Sequence, residues 1–573
     1  MPAIQPATSP ISRRSFVASA AGAGALAATA VIAGASPARA TESASADAVD
    51  APATPSFLNA PDPIADDAIS QTYEADVVVV GLGLAGVAAA RAAAEAGLTV
   101  VGIERSSTVN ARSSQFAVFN SDNARAMGVE DIDTPELVNE LMTQMGHRAD
   151  ARILKTWADN CGEAFDWYAN AVDGLVWQHP GEDAPTDENT IFVRNGNIYE
   201  PYQYGLDHEK IFSGTLSFRP NGHAPVLQAN FDVAQATGNL TAIFDMRGLQ
   251  LIKDGERVSG VIAQSIADGS YIKATASKAV ILATGGYLHN DEMMAYYLPW
   301  IYNQKDKFQF TYMSVDLNVD KTDVGDGHRM GYWAGGNIEE GPHAAMAHGD
   351  LGKLGVDAFL QLNAHGERYI NEDLTNDHFG SAIVRQPDSL IYQLFDANWA
   401  EQMPAMQAGL GTQHAASQEM IDTIDEWTAA KGDTIEELIS NLGVDDEVAA
   451  TMKAEIERYN ELCEKGKDED FGKAPERMFA LATPPFYAIK YAVGEYAEGQ
   501  NALRCLVSMS GLSTDRHARV LNKKFDVVPG LYAVGNVQGG RFLGDYPTTI
   551  AGMSHSIALT YGWLAGKYVA ENE

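Results

Sequence analysis

Asp76-Val77-Val78-Val79-Val80-Gly81-Leu82-Gly83-Leu84-Ala85-Gly86 is the stretch that decides the fold. Its first five residues form a short apolar run rich in β-branched side chains, the pattern of a strand buried on both faces of a parallel sheet. An Ala-rich helical stretch follows to about Ala96 and stops at Gly97. A second strand, Leu98 to Ile103, ends in Glu104 with Arg105 beside it. Strand, glycine turn, helix, strand and acid in that order predict a dinucleotide cradle. Gly81 allows the tight turn, Gly83 lets the backbone approach a pyrophosphate, and Gly86 lets the helix pack on the strand. The helix start at Leu84 and Ala85 offers free N–H groups and a positive dipole end. Glu104 is placed to accept from ribose hydroxyls.

The surrounding chain has 573 residues, 46 % of them hydrophobic and 20 % charged, which excludes wholesale disorder and fibrous repeats. That length predicts more than one domain. The net charge of −36 argues against nucleic acid or an anionic lipid surface as partner, since both would be repelled. Cys161, Cys463 and Cys505 lie far apart, with no Cys-x-x-Cys, so no metal site is expected.

Ser12-Arg13-Arg14-Ser15-Phe16-Val17 precedes an Ala/Gly-rich apolar run to Ala35, and Pro37-Ala38-Arg39-Ala40 offers a small-x-small cleavage site. Residues 1–40 resemble a twin-arginine export signal. The expectation is export to the periplasm or cell envelope, with no stable membrane insertion after cleavage. The mature chain would carry 37 basic and 76 acidic side chains, a net charge of −39. Residues 41–70, rich in Ala, Pro, Ser and Asp, read as a flexible linker.

Two later segments complete a pattern. Ala279-Val280-Ile281-Leu282-Ala283-Thr284-Gly285-Gly286 is a strand entering a Thr-Gly-Gly turn, and Gly530-Leu531-Tyr532-Ala533-Val534-Gly535-Asn536 comes near the C-terminus. With the cradle they resemble the three FAD signatures of the fumarate reductase/succinate dehydrogenase flavoprotein superfamily, although the last usually ends in an acid and here ends in Asn536. Val324-Gly325-Asp326-Gly327 looks like that family's T-G-D-G, and Gly366-Glu367-Arg368-Tyr369-Ile370-Asn371-Glu372 like its G-x-R-F-x-N-E. The resemblance runs from about residue 74 to 570. It implies an α/β fold: a Rossmann-like FAD-binding domain split into 71–300 and 501–573, around an inserted α+β capping domain at 301–500. Succinate dehydrogenase-type chains attach the flavin through a His after the second strand. The matching stretch here, Asn110-Ala111-Arg112-Ser113-Ser114-Gln115-Phe116, has none. Non-covalent FAD is therefore expected, with Ser113 and Ser114 either bonding to it or forming an ordinary turn.

The substrate side breaks the family pattern. Fumarate reductases protonate their substrate with the Arg of a T-R-D motif; here Asn376 stands in that place, in Thr375-Asn376-Asp377-His378. The family's H-T-M-G-G becomes Val507-Ser508-Met509-Ser510-Gly511. A small dianion would lose several charge-assisted hydrogen bonds, each worth about 1.5–3 kcal/mol, so fumarate is not the expected substrate. Gly539-Gly540-Arg541-Phe542-Leu543-Gly544-Asp545-Tyr546-Pro547 replaces the dicarboxylate clamp, and its Tyr-Pro resembles 3-ketosteroid dehydrogenases. Tyr546, His378 and Arg541 are the candidate catalytic residues. The alternatives are a packed wall position for Tyr546, a surface position for His378, and pairing with FAD or Asp545 for Arg541.

The resemblance implies an ene-reductase acting on a small unsaturated organic acceptor in anaerobic respiration, supplied with electrons by an external donor such as a membrane quinol-linked or haem protein. A ketosteroid-type desaturase and a non-catalytic FAD-binding electron-transfer subunit remain the alternatives.

Overall fold

The computed structural model of the chain describes residues 55–196, 212–349, 354, 359–373, 376–406, 415–492, 503–547 and 549–573. The export signal expected over 1–40 and residues 41–54 lie outside them. Within them, Val77 to Val80 are at most 3 % exposed, as a strand covered on both faces requires. They end strand β1 (Ile69–Val80), the centre of the principal sheet. The other strands along its spine are β2 (Val100–Ile103), β3 (Leu240–Ile243), β4 (Tyr271–Leu282), β5 (Arg519–Leu521) and β6 (Val527–Ala533). Their order is β5-β6-β4-β1-β2-β3. All these neighbours run parallel except β5 and β6. A hairpin, Met246–Asp254 with Arg257–Ser265, pairs with the first part of β4.

Helix α1 (Leu84–Glu95) lies between β1 and β2 in sequence and is buried over nearly its whole length, as its alanines allow. Helix α2 (Met553–Asn572) closes the chain and packs on α1. The two expected halves of the FAD-binding domain meet at β4 and β6, which pair at Val280 and Leu531.

A separate antiparallel sheet, formed by Leu360–Asn363, Leu390–Phe395, Phe486–Ala492 and Ala430–Gly432, lies inside the expected capping region. A three-stranded sheet ties residues 308–310 and 345–349, in the expected capping region, to Leu503–Ser508.

Residues 55–70 are not the flexible linker that their composition suggests. Phe57 is 4 % exposed in the core, and Trp333 Nε1 donates to its carbonyl at 3.1 Å. Ser56 Oγ donates to Glu292 at 2.6 Å, and β1 already begins at Ile69. One aromatic anchor and a few hydrogen bonds suffice to dock this Ala/Pro-rich stretch.

Candidate active site

The cradle has the geometry its glycines demand. Gly81 sits at φ +96°, and a Cβ there would meet the Ala283 carbonyl oxygen at 2.5 Å. A Cβ on Gly86 would lie 1.9 Å from the Gly81 oxygen, so no larger residue fits. Gly83 caps α1 in an extended conformation, without a side-chain bond to the first turn. The first N–H groups of a helix lack intrahelical partners and suit an anion. Gly535, in the turn after β6, packs on Ala85.

Glu104 is buried at the end of β2. Its Oε2 accepts the Leu82 N–H at 2.7 Å, and Oε1 accepts from the Ser106 N–H and Oγ at 2.9 and 2.8 Å. A carboxylate offers about four acceptor sites, so one is left for a ribose hydroxyl. Beyond it opens a cleft of about 440 Å³ between Ser106–Asn110 and Tyr312–Leu317.

Two of the expected cofactor residues are mainly engaged with the fold itself. The Asp326 carboxylate is held by Arg247 at 2.7 and 2.8 Å, and by Arg329, which fastens the helix Asp326–Trp333 to the hairpin after β3. Arg105 donates from Nη2 and Nε to one Asp316 oxygen at 2.7 and 2.9 Å, while its Nη1 stands 3.7 Å from Asp326 and makes no hydrogen bond among the described residues. The V-G-D-G motif is legible in sequence; the arginine that would take its acid is not.

FAD fits what remains. Ser114 Oγ, Thr284 Oγ1 and Asn536 Oδ1 are buried without hydrogen-bond partners among the described residues, although burying a polar group unpaired costs about 1–3 kcal/mol. Thr284 and Asn536 come from the second and third FAD signatures, and Ser114 from the loop after β2. At Gly285 a Cβ would meet nothing within 4 Å, so this turn borders open space. Ser113 sits at φ +66°, and its carbonyl accepts the His223 N–H.

On the substrate side, Arg541 is fully buried. Its Nε donates to the Gln538 carbonyl and its Nη2 to the Met509 carbonyl, both at 3.0 Å. Arg541 makes no hydrogen bond to Asp545, so that alternative for it falls away while pairing with FAD stays open; Nη1 has no hydrogen-bond partner among the described residues. Burial lowers its pKa to about 10. Tyr546 is 4 % exposed, stands edge-on to Phe542 at 4.9 Å, and accepts the Ser554 N–H at 3.3 Å. His378 falls in the helix Asn376–Ile383, and its side chain, like that of Asn376, lies outside the described residues.

Sequence reasoning missed a polar group beside Arg541. Glu339 accepts the Gly511 N–H at 3.2 Å and also that of Gly540. His343 Nε2 faces the Glu339 carbonyl at 2.9 Å and so carries the proton; Nδ1 accepts from Tyr287 at 2.7 Å. His328, fully buried, donates from Nε2 to the Ser510 carbonyl.

A family model described as "FAD binding domain" matches residues 76–549, and the chain belongs to that family. It is an FAD-dependent oxidoreductase of the fumarate reductase-like flavoprotein superfamily. Vinyl phenol reductase of Lactiplantibacillus plantarum is 26 % identical over 534 residues, spanning 87 % of this chain and 96 % of that protein. Urocanate reductase of Eggerthella lenta is 25 % identical over 518 residues, spanning 87 % and 75 % respectively. The solved 3-ketosteroid-delta4-(5alpha)-dehydrogenase of Rhodococcus jostii RHA1 shares the fold, with a TM-score of 0.65 at 22 % identity over 89 % of this chain and 99 % of that one.

Proposed function

We propose that the protein reduces a C=C bond conjugated to a carbonyl in a small organic acceptor, outside the cytoplasm, with electrons delivered by a separate donor. The two relatives, named as reductases of unsaturated compounds, support the reaction class. The observation that carries the reading is Tyr546: a buried phenol, its oxygen pinned by the Ser554 N–H at the start of α2. A fixed phenol suits a neutral carbonyl or a single carboxylate.

In this reading the residues divide the work. The α1 N-terminus and Gly83 hold the pyrophosphate, Glu104 the ribose, and Ser114, Thr284 and Asn536 the remaining polar edges of FAD. Reduced FAD supplies the hydride when bound. Tyr546 polarises the acceptor carbonyl. Phe542 and the glycines beside it wall a flat substrate, and Asn376 in place of the family Arg removes a charge a dicarboxylate would need. The Tyr546-Pro547 pair also suits the reverse reaction, desaturation of a cyclic ketone.

The test is anaerobic. The purified protein is reduced, and flavin reoxidation is followed with unsaturated acids, cinnamates, lactones and steroids. Reoxidation by an enoate or enone supports the reading. Dye-coupled steroid turnover alone would favour the desaturase, and silence across the whole panel would leave an electron carrier.

A further inference from the structure

Two segments that depart from the family pattern, Val507–Gly511 and Gly539–Tyr546, are far apart in sequence and meet at one side chain. Glu339 Oε2 accepts the Gly511 N–H at 3.2 Å, and Oε1 accepts the Gly540 N–H. The Glu339 backbone joins in: its N–H donates to the Gly511 carbonyl at 2.9 Å. A Cβ on Gly539 would lie 2.5 Å from the Glu339 carboxyl carbon, so the 539–540 turn is pressed onto the acid. The next residue is the buried Arg541, whose Nη2 returns to the Met509 carbonyl, again bridging the same two segments.

We propose that Glu339 is a positioning residue of the site: its carboxylate clamps the turn at Gly511 to the turn at Gly540, and its ionisation sets how firmly the two segments are held. The inference rests on reading these segments as substrate-facing, but the clamp itself is measured without a substrate.

The physical reason is the donor count. An ionised carboxylate is acceptor-only, and both of its oxygens here face amide donors. Protonation turns one acceptor position into a donor and removes the charge that makes such bonds about twice as strong as neutral ones. Burial pushes the Glu339 carboxyl up; the two amides and Arg541 pull it back, leaving it at about 7. The clamp is therefore tight above neutrality and loosened below it. The other groups facing this spot do not titrate there. Burial holds His343 down at about 4 and His328 at about 3, and Tyr287, bonded to His343, is pushed well up. Asp150, whose N–H donates to the Gly540 carbonyl, is lowered in pKa despite its burial, held down chiefly by Arg152. Arg541 stays cationic throughout.

The experiment is hydrogen exchange on the FAD-loaded full chain. Peptides covering 507–511 and 539–546 are followed from about one pH unit above neutrality to about one below, corrected for intrinsic exchange. Wild type is expected to lose about tenfold protection on going down, the difference between a charge-assisted bond and a neutral one. Glu339→Gln should show the loosened level at every pH. A wild-type protection that ignores pH, or an unchanged pH response in Glu339→Gln, overturns the proposal. If that variant does not hold FAD, Glu339→Asp and the wild-type profile decide alone, because a clamp without a neutral transition in wild type is not this clamp. A failed substrate screen would leave the exchange result standing, so the two readings fail separately.

Discussion

Tyr546 and Ser554 are joined across the start of α2: the phenol oxygen accepts the Ser554 N–H at 3.3 Å. A side chain from outside the helix thus satisfies one of the donors that every helix start leaves open. It also fixes the oxygen at the positive end of the helix dipole, which makes its O–H a better donor. Tyr546→Phe is expected to cost about 1 kcal/mol of stability. With an accepted substrate, it should slow flavin reoxidation by about 10²–10³. FAD content should not change. Stopped-flow reoxidation beside a melting curve separates the two effects, and near-normal reoxidation would make Tyr546 a wall residue.

The second prediction concerns the hold on FAD. Ser114 lies in the loop after β2, and its Oγ is buried without a hydrogen-bond partner among the described residues. Acid or heat denaturation should release yellow FAD into the supernatant. Ser114→Ala should weaken FAD binding several-fold, up to about tenfold, the worth of one neutral hydrogen bond. Fluorescence titration of apoprotein with FAD checks the affinity. Flavin that stays with the precipitate would contradict non-covalent binding.

Export is tested at Arg13 and Arg14. Replacing both with Lys keeps the charge but removes the paired guanidinium groups. The variant should accumulate in the cytoplasm, carrying its flavin and its uncleaved N-terminus. Cell fractionation with mass measurement reads both, and a normally exported double mutant would point to another route.

The cradle was legible because its demands are local. A β-branched run, two glycines that tolerate no Cβ and an Ala-rich helix follow one another within twenty residues. Glu339 was not legible, because its partners are amide groups 172 and 201 positions away, and an amide leaves no mark on the side-chain pattern. Asp326 shows the intermediate case. Its motif announced itself, but Arg247, 79 residues away on a strand, takes its carboxylate. Phe57 shows the opposite failure: the composition around it was that of a loop, and one buried ring outweighed it.

The last prediction concerns the cap, where the Gly366–Glu372 motif serves structure. Arg368 forks onto Glu372 at 2.9 Å and onto Asp468 at 2.8 and 3.1 Å, and Lys473 reaches Glu372 at 3.3 Å. All four side chains are at most 2 % exposed. Removing one partner of a buried charge pair typically costs about 3–5 kcal/mol, since the other charge is stranded. Arg368→Met leaves Glu372 with Lys473 and Asp468 with backbone N–H donors, and should destabilise the chain by that amount in urea. It should also change the acid limb. Burial pushes the Asp468 carboxyl up, but Arg368 and the backbone N–H groups of Lys473 and Phe471 outweigh it and bring it to about 2, well below the ordinary aspartate range. A lowered carboxylate stabilises the fold above its unfolded pKa and loses that contribution as pH falls through the folded one. In wild type the loss therefore runs from about 4 down to about 2. Without Arg368 the folded pKa rises, and the acid transition should begin at higher pH. Acid titration of wild type and Arg368→Met, followed by tryptophan fluorescence, shows the shift; coincident acid limbs would mean that Arg368 does not hold Asp468 ionised.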